Sequence, residues 1–138
     1  MQEEISAAFP FESKFLEVNG SKMHYIDEGP RDAPPIVMVH GNPTWGYVYR
    51  RFINAVTAAG YRAIVMDHLG FGRSDKPDDS SRYTIPKHAD RCEALLEALD
   101  LRDAIVVVQD WGGPIGLTWA ARHPDRVAGL FILNTFFQ

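Results

Sequence analysis

Ala104-Ile-Val-Val-Val108 runs directly into Gln109-Asp-Trp-Gly-Gly113 and then Pro114-Ile-Gly-Leu-Thr-Trp-Ala-Ala-Arg122. Five consecutive apolar residues, mostly β-branched, suit a strand buried on both faces of a parallel sheet. Residues 112–122 have helical length and stop at His123-Pro124, because proline cannot continue a helix. Little chain is left between strand and helix, so the turn must be sharp, with Asp110 at its apex. Such a turn exposes one side chain and aims the free N–H groups of the helix's first turn towards it.

The same alternation extends outward in both directions. Residues 35–39 form a continuous apolar run ending at His40-Gly41, and residues 43–59 follow with helical spacing up to Gly60. Residues 62–66 make a second buried strand ending at Asp67, then a loop over 68–83 rich in Gly, Asp, Ser and Pro. An amphipathic helix is expected over 86–99, with Pro86 at its first turn, where its missing N–H is harmless. The strand at 104–108 is the third, and residues 127–133 predict a fourth buried strand. Ahead of them, Asn19-Gly20 is a two-residue hairpin signal joining 15–18 to 23–26 as antiparallel edge strands. Buried strands alternating with helices mean βαβ units. The expected class is therefore α/β, a mostly parallel sheet with helices on both faces, with residues 1–138 forming part of one domain. Ligands in such sheets bind beyond the carboxyl ends of the strands, which here carry His40-Gly-Asn-Pro, Asp67-His-Leu-Gly-Phe-Gly and Gln109-Asp-Trp-Gly-Gly.

Composition narrows the function. The formal charge of −4 offers no electrostatic reason to bind nucleic acid or an anionic membrane. No apolar run approaches bilayer length, and Met1-Gln-Glu-Glu lacks the basic start of a signal peptide. Cys92 stands alone, so no intrachain disulfide forms, and a cytoplasmic location is expected. No Cys/His cluster has metal spacing and no glycine-rich phosphate loop follows a strand, so no cofactor is expected.

The nucleophile narrows it further. A serine attacking an alkyl carbon would leave a stable ether. A carboxylate leaves an ester, which water can cleave at its carbonyl. Asp110 at an elbow therefore suits displacement at carbon, although Asp also commonly caps a helix. The elbow pattern has small residues two positions either side; Gly112 fits and Val108 does not. Backbone N–H groups of Asn42 and Trp111 are candidate oxyanion donors. Their side chains, an amide and an indole N–H, can converge on an anionic leaving group. The plainer alternatives are a packed aromatic for Trp111 and a turn residue before Pro43 for Asn42. His40 is expected to support the oxyanion loop; Asp67, Arg73, Ser74 and Asp75 to shape the second loop; Trp45 and Trp119 to pack. His24, His68, His88 and His123 are expected to have no framing carboxylate, and Cys92 to be an inert thiol.

His40-Gly-Asn-Pro-Thr-Trp45, Asp67-His-Leu-Gly-Phe-Gly-Arg-Ser-Asp-Lys-Pro77 and Val107-Val-Gln-Asp-Trp-Gly-Gly113 together resemble the haloalkane dehalogenases, members of the α/β-hydrolase superfamily, from about Phe15 onward. The resemblance implies that Asp110 is the nucleophile and that Asn42 and Trp111 bind the halide and form the oxyanion hole. It implies a small halogenated hydrocarbon and water as substrates and halide as a product. Related epoxide hydrolases typically carry an aromatic in place of Asn42 and His in place of Gln109. β-Lactone decarboxylases and coelenterazine luciferases have similar first halves.

Two departures shape the expectation. Asn134 occupies the place where one dehalogenase subfamily carries its acid as Glu, so the acid should be an Asp after the next strand. None of the five histidines matches the family's base. The chain is thus expected to be the amino-terminal half of the domain: a fragment, one part of a two-chain enzyme, or a non-catalytic remnant, catalytically silent alone. Residues 127–133, followed by Thr135-Phe-Phe-Gln, are expected to self-associate or to accept a complementing chain.

Overall fold

The computed structural model describes residues 1–137. Its centre is a six-stranded sheet in the order β1-β2-β4-β3-β5-β6. Strands β1 (Lys14–Val18) and β2 (Ser21–Glu28) form the hairpin around Asn19-Gly20, where Asn19 has φ +50° and Gly20 φ +81°. Two residues at positive φ give the turn that matches strand twist, so Asn-Gly sets this register. β2 then pairs antiparallel with β4 (Arg62–Met66), while β3 (Pro35–Val39), β5 (Ala104–Asp110) and β6 (Val127–Thr135) continue in parallel.

Helices cover both faces. α2 (Arg50–Ala58) packs Ile53 on one face with Met38, Ala63 and Val65. On the other, α3 (Ile85–Ala98) and α4 (Gly112–Arg122) bury Cys92, Leu95, Leu96, Ile115 and Trp119 against Val37, Val39 and Val106. Thr84 caps α3, its hydroxyl accepting the Lys87 N–H, and Pro86 lies in the first turn. The buried Trp119 is core, its indole N–H donating to Glu97 Oε1 at 3.0 Å. No helix of the described residues is long and apolar enough to cross a membrane.

Three expectations change. The stretch after His40 is not helical throughout: residues 42–43 form a turn, Gly46–Tyr49 a 3-10 helix, and α2 starts only at Arg50. Gly46 delays the helix because its N–H is taken by the Asp67 carboxylate at 2.7 Å. A further helix, α1 (Gln2–Ala8), precedes β1 with Glu3 and Glu4 in its first turn, where carboxylates favour the helix dipole. β6 is a strand but not a buried one: Leu130, Phe131, Ile132 and Leu133 are all exposed. It pairs with β5 along one edge only, and Phe131 and Leu133 line an open apolar groove with Ile105, Val107, Phe52 and Val56. Apolar composition gives a strand its preference; burial also requires neighbours on its other edge and faces.

Candidate active site

Strand order reverses around β3. The chain moves from β3 to β4 on one side, then crosses to β5 on the other. The loops leaving β3 and β5 therefore diverge above adjacent strands, the topological switch point at which α/β sheets place the crevice that binds their ligands. His40-Gly41-Asn42 borders it from β3, and Asp110-Trp111-Gly112 from β5.

Asp110 sits at φ +51°, a backbone conformation that non-glycine residues rarely adopt. Strain of this kind persists where the surroundings enforce it, and here they do. The Thr135 hydroxyl donates to the Asp110 carbonyl oxygen, and the Asn42 backbone N–H donates to Asp110 Oδ2 at 2.9 Å. Two glycines allow the close approach. A Cβ on Gly41 would collide with the Asp110 side chain, and one on Gly112 with the Val39 carbonyl oxygen. The sharp strand-to-helix turn expected from the sequence is present, with Asp110 half-buried at the end of β5.

Asn42 has an exposed side chain, and Trp111 is half-buried ahead of α4. Among the described residues, neither the Asn42 amide nor the Trp111 indole N–H has a protein acceptor.

The histidines divide into two groups. His24 and His123 are framed by carboxylates, contrary to expectation. His24 Nδ1 donates to Asp67 Oδ2 at 2.9 Å, and His123 Nε2 lies 3.3 Å from Glu93 Oε2. Both pairs join residues at least 30 positions apart, beyond the reach of local sequence. Asp67 also accepts from the N–H groups of Gly46 and Arg73, and Ser74 Oγ donates to its carbonyl, so this cluster shapes the second loop as the sequence implied.

His40, His68 and His88 instead lie in a row behind this loop pair with almost no exposure, their rings tilted against one another, the first two 4.0 Å apart and the next two 5.5 Å. Burial, then the neighbouring His68, holds His40 well below the usual histidine range. Burial pushes His68 down to about 4, and burial with His68 and Arg91 pushes His88 to about 3. Burial also lifts the Cys92 thiol to about 12, consistent with an inert group. All three histidines stay neutral in the folded chain at pH values where the unfolded chain, with ordinary values near 6.5, takes up protons. Stability must therefore fall as pH falls through that window, by up to about 1.4 kcal/mol per pH unit for each histidine. Urea unfolding at pH 7 and pH 5 checks this: the pH 5 midpoint should be clearly lower, and His68→Gln should shrink the difference. Equal midpoints for the unaltered chain would contradict it.

Residues 34–138 match the family model described as the alpha/beta hydrolase fold. The chain belongs to the α/β-hydrolase fold family. Within that family it is 46% identical over 133 residues to a haloalkane dehalogenase of Mycobacterium marinum, covering 93% of this chain and 45% of the relative. It is 48% identical over 133 residues to a cis-3-alkyl-4-alkyloxetan-2-one decarboxylase of Shewanella oneidensis, covering 95% of this chain and 41% of the relative. Among solved structures, the tetrameric haloalkane dehalogenase DpaA of Paraglaciecola agarilytica superposes with a TM-score of 0.89 at 40% identity, over 96% of this chain and 47% of that one. The chain thus spans less than half the length of these relatives.

Proposed function

We propose that residues 1–138 are the amino-terminal part of one α/β-hydrolase domain whose Asp110 cleaves carbon–halogen bonds. The observation that carries the reading is the Asn42 N–H on Asp110 Oδ2 at 2.9 Å. It leaves Oδ1 to attack an sp³ carbon: the C–O bond forms as the carbon–halogen bond breaks, and the bonding pair leaves with the halide. Oδ2 then becomes the ester carbonyl oxygen. When water adds to that ester, the oxyanion develops at an atom already within donor range of Asn42, where one such donor is worth about 2.7–4 kcal/mol. The backbone N–H of Trp111 is the second donor. Collapse releases the alcohol and restores the carboxylate.

The uncommitted Asn42 amide and Trp111 indole N–H hold the departing halide, which loses its water shell in the crevice. Asn42→Ala and Trp111→Phe should each weaken bromide binding by about 1.5–3 kcal/mol, or roughly ten- to hundredfold, in a calorimetric titration. Unchanged affinity in both would remove halide recognition from the reading.

Turnover needs a base to deprotonate water. His24 has both ring nitrogens taken, by Asp67 and Ser13; His123 lies at the carboxyl end of α4, the far end from Asp110; His40, His68 and His88 are buried in the interior. The base and its acid partner come from polypeptide outside these residues, added along the open edge of β6. A second reading, β-lactone decarboxylation, is favoured by the similarity to the Shewanella enzyme. The same Asp would then attack the lactone carbon that bears the ring oxygen, breaking that C–O bond and freeing a carboxylate; loss of carbon dioxide would form the alkene and expel the Asp carboxylate. Incubating the protein with 1-bromobutane and with a cis-dialkyl β-lactone separates the two: bromide release supports the first, alkene formation the second.

A further inference from the structure

The buried histidines form a chain whose proton positions are fixed by their partners. His40 Nδ1 lies 2.8 Å from the Gly41 carbonyl oxygen, which only accepts, so Nδ1 carries the proton. Its Nε2 then accepts the His68 backbone N–H at 2.9 Å. His68 Nε2 lies 2.7 Å from the His40 carbonyl oxygen and is therefore a donor, which leaves a lone pair on its Nδ1. His88 Nδ1 accepts from Arg91 Nη2 at 3.0 Å, so its proton is on Nε2. Arg91 Nη2 also donates to the Arg82 carbonyl at 2.7 Å.

Among the three rings, two nitrogens remain without a protein partner, the acceptor His68 Nδ1 and the donor His88 Nε2; on Arg91 the Nε–H is a further unpartnered donor. The two ring nitrogens belong to neighbouring rings with centroids 5.5 Å apart, and both side chains are 1% exposed. One unpaired buried group of either kind would be costly. A complementary pair on adjacent rings is instead a site for one small amphoteric molecule. We propose that His68 and His88 bind a single buried water, which accepts from His88 Nε2–H and donates to His68 Nδ1. Buried waters typically bridge such otherwise unsatisfied groups.

The bridge completes a hydrogen-bonded path from the Gly41-Asn42 loop through His40, His68 and His88 to Arg91 on α3. His68 is then a positioning residue. It holds both the ring and the carbonyl of His40, and with them the loop whose Asn42 N–H meets Asp110. That consequence rests on the reading of Asp110 as the reacting group; the water site does not, and its readouts need no substrate.

Nitrogen-15 NMR of the histidine rings, together with a high-resolution crystal structure of the chain, tests the site. Expected are neutral Nδ1–H, Nε2–H and Nε2–H tautomers for His40, His68 and His88, and a water within about 3 Å of both unpartnered atoms. A direct ring-to-ring hydrogen bond, a different tautomer at His68 or His88, or an unoccupied gap would overturn it. Two variants separate bridging from loop support. His68→Gln keeps a donor towards the His40 carbonyl but places no acceptor at the Nδ1 position, so the water should vanish while Asn42 amide exchange is unchanged. His68→Asn keeps the acceptor and shortens the donor, so the water should stay while Asn42 exchange quickens about tenfold. The opposite pattern would contradict the positioning role even if Asp110 proves to be the nucleophile, and the two wild-type readouts stand if a variant fails to fold.

Discussion

Asp110→Asn should abolish bromide release from 1-bromobutane while leaving the fold intact. The amide is isosteric with the carboxylate and keeps an oxygen for the Asn42 N–H, so the elbow loses only its nucleophile. Asparagine also tolerates the positive φ of +51° found at this position. The unaltered chain should release at most one bromide per molecule, because the alkyl ester forms once and these residues hold no base to clear it. The variant should fall to the solution background. Equal release from both would move the chemistry to another residue; a large loss of stability in Asp110→Asn would mean that the side chain is structural and that the N–H bond from Asn42 serves as a cap.

Asp67→Ala should be the most destabilising single change outside the apolar core. Its carboxylate accepts from His24 Nδ1, Gly46 N–H and Arg73 N–H at 2.7–2.9 Å, and it is almost wholly buried. Alanine would leave three donors facing one another without an acceptor. Each unpaired buried donor costs about 1–3 kcal/mol, and broken buried pairs typically cost about 3–5 kcal/mol in total. Denaturant unfolding reads the loss directly. A change under about 1 kcal/mol would mean that water replaces the carboxylate at little cost and that the second loop is held elsewhere.

These two residues also mark where the sequence was legible. Asp110 could be located because its signals are local: an apolar run, a short turn and two glycines in sequence. The Asn19-Gly20 hairpin and the Pro124 helix stop are local in the same sense, and both lie where expected. Asp67 could be placed in a loop but not paired with His24, since the two meet only when β2 and β4 align in register. His68 and His88 were likewise visible as residues and invisible as a row, because a loop after β4 and the second turn of α3 bring them together. The faces of β6 were harder to read than its open edge. Its composition is that of a buried strand, yet Phe131 is 57% exposed, since among the described residues no strand or helix covers it. The helix at Gln2–Ala8 lacked a capping side chain or an apolar stripe, and its first turn of acids was too weak a signal to stand alone.

The most direct test of Asp110 as the carbon-attacking group is mass spectrometry of the chain after incubation with 1-bromobutane, followed by proteolysis and fragmentation of the peptide spanning residues 104–122. The expected result is a butyl ester on Asp110, with no such adduct in Asp110→Asn. An unmodified Asp110 with the butyl group on another side chain would contradict it.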